Sequence, residues 1–244
     1  MNKRIIWTRP AEDWEHDAKL LRLEKPLFRF PLTRQVAIKP QMPPKPCDLV
    51  ILTSRKAADA FLHRMGLSKE HMHRIEFLTF GMETYKYLLS QNLKTRLIQA
   101  PGGKEFAAAL VLELKRDQVI WFPRPLETAY PISEHLRTHH FEIYDLELYK
   151  TETVKHLEPP ALQSLFAEPS IVCFASPLAI KAFVDLIRQY DEARFYKYTA
   201  VAIGATTKAS GQSYFNEVHL AQHPTLASLF EKAQEISRAP HGDS

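Results

Sequence analysis

The strongest constraint on this chain is a repeat within it. Val50-Ile51-Leu52-Thr53-Ser54-Arg55-Lys56-Ala57-Ala58-Asp59-Ala60-Phe61 resembles Val172-Cys173-Phe174-Ala175-Ser176-Pro177-Leu178-Ala179-Ile180-Lys181-Ala182-Phe183. In each, an apolar strand-like run ends at a Ser that opens a helical stretch. Further on, Phe80-Gly81-Met82-Glu83-Thr84 resembles Ile203-Gly204-Ala205-Thr206-Thr207, a strand ending in Gly ahead of a helix. Ser54 to Gly81 is 27 residues (81 − 54) and Ser176 to Gly204 is 28 (204 − 176), so both matches recur at nearly the same spacing. A third pair, Trp7-Thr8-Arg9-Pro10 and Trp121-Phe122-Pro123-Arg124-Pro125, precedes the Ser element in one copy and follows it in the other. This order predicts two similar lobes related by permutation, one of them split between the two ends of the chain.

Around these anchors, short β-rich apolar runs alternate with amphipathic stretches, the pattern of βαβ units and parallel sheets. The expected class is therefore α/β. Strands are expected at 4–8, 49–53, 74–79, 97–100, 118–122, 143–148, 170–175, 199–203 and 217–220. Helices are expected to begin near Glu12, Ser54, Met82, Lys104, Ala129, Pro160, Ser176, Thr206 and Thr225, each between strands. The run Lys39-Pro40-Gln41-Met42-Pro43-Pro44-Lys45-Pro46 is too rich in proline for a helix or a central strand and reads as an extended connector. The polar stretch 149–160 reads as a second break, and 239–244 as a frayed end.

Composition excludes several functions. With 17 prolines but 7 glycines in 244 residues, there is little material for Gly-rich phosphate loops. Ala100-Pro101-Gly102-Gly103-Lys104 lacks the first Gly and closing Ser/Thr of such a loop and reads as a strand-to-helix turn. A net charge of +4 tolerates an anionic ligand, but no basic stripe with interleaved aromatics calls for nucleic acid. Cys47 and Cys173 lie far apart in apolar surroundings and read as buried reduced thiols, which suits a reducing cytosol. His71, His73, His139 and His140 sit in polar contexts without metal-ligand spacing and read as surface groups. No segment approaches a membrane span, the N-terminus has no long apolar leader, and no Gly-x-Ser-x-Gly elbow supports a serine hydrolase. A monomeric, cytoplasmic protein is expected.

The candidate site residues follow from position. Ser54 and Ser176 are expected to cap helices, with Pro177 at the favoured first helical position. They also stand where strands hand over to helix N-termini, the places at which α/β sheets bind anions. Two lobes offering the same arrangement could clasp one polyanionic ligand in a cleft. Gly81 and Gly204, two of so few glycines, suit tight turns or close backbone approach to a ligand, and Thr84 and Thr207 follow each by three residues. Arg9 suits either a surface ion pair or a carboxylate held in its fork. Tyr149, in Leu148-Tyr149-Lys150-Thr151, suits either interlobe packing or a role in chemistry.

Taken in order, these elements resemble the uroporphyrinogen-III synthase family. The matching residues are Thr8-Arg9-Pro10, Thr53-Ser54, Leu148-Tyr149-Lys150-Thr151, Phe174-Ala175-Ser176-Pro177, Ile203-Gly204-Ala205-Thr206-Thr207 and Pro224-Thr225. Where that family often has a Gly after the strand at 120–122, this chain has Pro123-Arg124-Pro125, and Arg55 stands where many relatives have Pro. The resemblance implies two parallel-sheet α/β lobes joined by a two-stranded linker. The first would comprise 1–34 and 152–244, the second 35–151, with the active cleft between them. It further implies an enzyme that eliminates water from hydroxymethylbilane and closes it to uroporphyrinogen III with the last pyrrole inverted, through a spiro intermediate and without metal or organic cofactor. Ser54, Gly81, Thr84, Ser176, Gly204 and Thr207 would bind substrate, Arg9 would support the first lobe, and Tyr149 would assist departure of the hydroxyl. The alternative is a two-lobed protein that binds an anionic tetrapyrrole or other metabolite without chemistry.

Overall fold

The computed structural model describes residues 3–22, 27–128, 130–155, 159–190 and 192–239, with backbone alone at 192–194. The strands are β1 (Arg4–Trp7), β2 (Phe28–Arg29), β3 (Thr33–Ala37), β4 (Leu49–Leu52), β5 (Glu76–Phe80), β6 (Thr95–Ile98), β7 (Val119–Pro125), β8 (Glu142–Thr153), β9 (Ser170–Phe174), β10 (Tyr198–Ala202) and β11 (Val218–Leu220). The helices are α1 (Trp14–Leu21), α2 (Arg55–Arg64), α3 (Lys69–Arg74), α4 (Met82–Ser90), α5 (Gly103–Glu113), α6 (Ile132–Thr138), α7 (Pro159–Phe166), α8 (Pro177–Tyr190), α9 (Ala205–Gly211) and α10 (Leu226–Arg238). Short 3-10 segments occupy Ala11–Asp13 and Glu192–Lys197.

The chain divides into two compact units. Residues up to Gln35 and from Thr151 onward form one, and Val36–Lys150 form the other. The first unit carries a sheet in the order β11-β10-β9-β1-β2, and the second a sheet in the order β6-β5-β4-β7-β8-β3. The two orders are one topology with the chain cut at different points: β9, β10, β11, β1 and β2 take the places of β4, β5, β6, β7 and β8. The β1–β2, β1–β9, β9–β10 and β10–β11 pairs are parallel, as are β4–β5, β5–β6, β4–β7 and β7–β8. The class is mixed α/β with two sheets dominated by parallel pairs, as expected from the alternation in sequence.

The central strands show why unbroken apolar runs become parallel strands. Along β9, Val172 and Phe174 enter one core with Phe183 and Phe215, while Ile171 and Cys173 enter the opposite core with Leu229 and Phe230. Along β4, Val50 and Leu52 pack with Phe61 and Phe77, while Leu49 and Ile51 pack with Phe106 and Phe122. Side chains alternate in period two, and helices cover both faces, so apolar residues fill both sides of these strands. Burying each such side chain is worth about 1.5–3 kcal/mol.

Several boundaries differ from expectation. The Ser68 hydroxyl accepts from the His71 N–H and caps α3, a helix that no sequence pattern marks, so β5 starts at Glu76. Strands β2 and β3 also lie outside the expected set. The stretch expected to break at 149–160 instead continues β8 through Thr153, beside β3. The helix start expected near Ala129 lies outside the described residues, and α6 begins at Ile132. Of the end expected to fray, 240–244 lie outside them also.

Candidate functional site at the strand ends

Each unit builds the same rim where two neighbouring strands end. In the second unit Leu52 of β4 is paired with Thr79 of β5, so Ser54 and Gly81 each stand two residues beyond a register pair. In the first unit Phe174 of β9 is paired with Ala202 of β10, and Ser176 and Gly204 again stand two residues beyond. The repeat read from sequence is thus a repeat of sheet register. The Ser54 hydroxyl accepts from the Ala57 N–H at 3.1 Å and opens α2, and the Ser176 hydroxyl accepts from the Ala179 N–H at 3.2 Å and opens α8. Gly81 and Gly204 occupy the N-caps of α4 and α9. Four helix N-termini, two in each unit, therefore emerge beside strand ends, an arrangement whose N–H groups and dipoles favour anions.

The two glycines differ in what requires them. Gly81 has φ of +98°, a conformation that a side chain disfavours. Gly204 is extended, with φ −155° and ψ 170°, and a Cβ there would meet nothing within 4 Å. Neither backbone strain nor packing within the protein requires glycine at 204. Thr84 and Thr207 are the third residues of α4 and α9, and both turn inward, at 3% and 4% exposure.

The same register aligns two arginines. Trp7 pairs with Cys173 and Ile6 with Val172, while Trp121 pairs with Val50. With Val172 equivalent to Val50, Trp121 corresponds to Ile6, and Arg9-Pro10 corresponds to Arg124-Pro125. The pairing is therefore Arg-Pro on Arg-Pro, one residue away from the Trp-on-Trp match suggested by sequence. Both arginines are clamped by two carboxylates. Arg9 donates from Nε to Asp17 and from Nη2 to Asp13, each at 2.7 Å. Asp17 is fully buried, and its Oδ2 also accepts from the Trp7 indole N–H at 2.9 Å. Arg124 donates from Nε to Asp145 and from Nη2 to Glu147, each at 2.9 Å. By family resemblance Arg124 is only a departure; the shared Arg-Pro dipeptide was the signal available in the sequence.

Tyr149 lies in the second unit's core beside Leu146 and Leu148, 7% exposed. The cysteines are free and buried, as expected. Burial pushes the Cys47 thiol up to about 12 and raises that of Cys173 as well, so neither offers a ready thiolate. The Cys173 carbonyl accepts from the Thr8 hydroxyl at 2.7 Å. His71, His73 and His140 are exposed and His139 half-buried. Among the described residues, no group of three or more His, Cys, Asp or Glu is placed to hold a metal ion, and no helix is long and apolar enough to cross a membrane.

Comparison with known proteins is consistent across sequence and fold. A family model described as "Uroporphyrinogen-III synthase HemD" matches residues 26–231. The chloroplastic uroporphyrinogen-III synthase of Oryza sativa subsp. japonica is 25% identical over 203 residues, which cover 81% of this chain and 66% of the rice protein. The crystal structure of uroporphyrinogen-III synthetase from Helicobacter pylori 26695 superposes with a TM-score of 0.69 at 22% identity, covering 96% of this chain and 99% of that one. A mutant uroporphyrinogen III synthase from the extremely thermophilic bacterium Thermus thermophilus gives 0.56 at 13% identity, covering 96% and 98%.

Proposed function

Because this chain belongs to the uroporphyrinogen-III synthase family, we infer that it cyclises hydroxymethylbilane to uroporphyrinogen III with loss of water and inversion of the last ring. The observation that carries this reading is the matched rim: Ser and Gly at the same register step in two sheets, each beside helix N-termini. A substrate with eight carboxylates and little else to grip suits many N–H donors better than one strong cation. Ser54, Gly81, Ser176 and Gly204 are the surface members of these rims and contact substrate. Thr84 and Thr207 shape the first helical turns from beneath, and Arg9, held by Asp13 and Asp17, supports its rim.

The chemistry balances without an added reactant. The carbon–oxygen bond of the hydroxymethyl group breaks, water leaves, and the resulting azafulvene is attacked by the terminal pyrrole. Tyr149 assists departure of the hydroxyl. Unassisted closure attacks the unsubstituted carbon and gives the uninverted isomer. The enzyme holds the terminal ring so that its substituted carbon attacks first, through a spiro intermediate, and keeps water from the cation. We read the protein as a monomer of a reducing, cytoplasmic compartment, a setting that the two unpaired buried thiols support.

The test is the consumption of freshly prepared hydroxymethylbilane. The purified protein accelerates its loss in proportion to protein added, and Tyr149→Phe slows that loss while tetrapyrrole binding persists. Binding without any acceleration would favour the non-catalytic alternative.

A further inference from the structure

Tyr149 owes its orientation to an irregularity in β8. The β7–β8 register runs step for step from Val119↔Glu142 to Arg124↔Glu147, then jumps to Pro125↔Tyr149, leaving Leu148 as an extra residue. Strict alternation would put Tyr149 on the face of Ile143, Asp145 and Glu147. The bulge instead turns it onto the face of Leu146 and Leu148, in the core with Phe61 and Phe77. A bulge re-aims a side chain in this way at a cost in ladder hydrogen bonds, so something must hold it.

The cause and the compensation both lie in Pro123-Arg124-Pro125. Pro125 has no N–H to give to β8, and the Leu126 N–H donates instead to the Tyr149 carbonyl at 2.8 Å. Arg124 then fixes this turn. Its Nη1 donates to the carbonyls of Pro125 at 2.9 Å and Leu126 at 2.7 Å, while Nε and Nη2 bind Asp145 and Glu147 of β8. On the other side, the displaced Leu148 carbonyl accepts from the Ile38 N–H at 2.8 Å and from Arg64 Nη1 at 3.2 Å. The Arg124 guanidinium thus ties β8 to the turn that leaves β7.

We propose that Arg124 is a positioning residue for Tyr149, setting the direction of its ring by locking the β7–β8 bulge. This rests on the reading of Tyr149 as the residue that assists hydroxyl departure, but the placement can be tested without activity. With 13C-labelled tyrosine rings, Tyr149→Phe identifies the Tyr149 resonance. That resonance shifts in Arg124→Gln and also in Arg124→Lys, which keeps the charge but lacks a fork able to reach two carboxylates and two carbonyls. It stays in place in Arg137→Gln, which removes a second donor to Asp145, at 2.8 Å, and one to the Ile143 carbonyl, at 3.3 Å, but no bond to the turn after β7. A folded Arg124→Lys protein whose Tyr149 resonance is unmoved overturns the proposal.

Kinetics give the second reading. In Arg124→Lys, kcat falls by up to about 100-fold, the scale of an ångström's misplacement, with KM little changed. In a Tyr149→Phe background the same change causes no further loss. Losses that multiply would mean that Arg124 acts by another route and would also overturn the proposal. If the resonance shifts but Tyr149→Phe retains full turnover, the positioning stands and the catalytic role of Tyr149 falls.

Discussion

Gly81 and Gly204 stand at matching points of the two sheets, each two residues past a parallel register pair, yet only Gly81 is required by its own backbone. Gly81→Ala should destabilise the protein by roughly 1–3 kcal/mol, the cost of a side chain at a positive φ with extended ψ. Gly204→Ala should leave the stability within about 0.5 kcal/mol, since its φ is ordinary and nothing lies within 4 Å of the new methyl group. If substrate approaches the backbone at 204, however, KM rises. Thermal unfolding and steady-state kinetics on both variants separate the two effects; an unchanged KM in Gly204→Ala would remove this glycine from the binding surface.

Arg9 is predicted to matter first for stability. Its partner Asp17 is fully buried and shares one carboxylate oxygen between Arg9 and the Trp7 indole. Arg9→Met strands that charge, and breaking a buried pair from one side costs about 3–5 kcal/mol. Urea unfolding reads the loss directly. A variant of unchanged stability that had lost only substrate affinity would instead make Arg9 a direct ligand.

The clamp on Arg124 sets an acid limit. Burial works against ionising Asp145, but hydrogen bonds from Arg137, Ser133 and Arg124 together outweigh it and hold the carboxyl below its ordinary value of 3.8. A carboxyl with a folded-state pKa below its unfolded value contributes stability above the unfolded pKa and loses it as pH falls through the folded one. The protein should therefore lose stability below about pH 4, and Asp145→Asn should be weaker at pH 7 but flatter in that acid range. Urea midpoints measured between about pH 7 and about pH 2 test this, and equal acid slopes would contradict it.

The parts legible in sequence were those with local causes. The apolar runs of β4 and β9 announce strands buried on both faces, and Ser54, Ser176 and Thr225 announce helix starts. What escaped depends on partners far along the chain. Strand β2 has two residues and no periodicity, and exists because Phe28 and Arg29 pair with Ile6 and Trp7. β8 continues past Tyr149 into polar sequence, where β3 lies beside it. The carboxylates that clamp Arg124 come from β8, 21 and 23 residues onward, and no local pattern marks them. Thr84 and Thr207 read equally well as surface donors, because burial at the third position of a short helix depends on what packs above it.

The most direct measurement is the isomer composition of the product. With freshly prepared hydroxymethylbilane and excess purified protein, uroporphyrinogen III should dominate, and its share should fall toward the type I isomer as the protein is diluted and unassisted closure competes. Type I product at every protein concentration, formed at the rate seen in buffer, would contradict it.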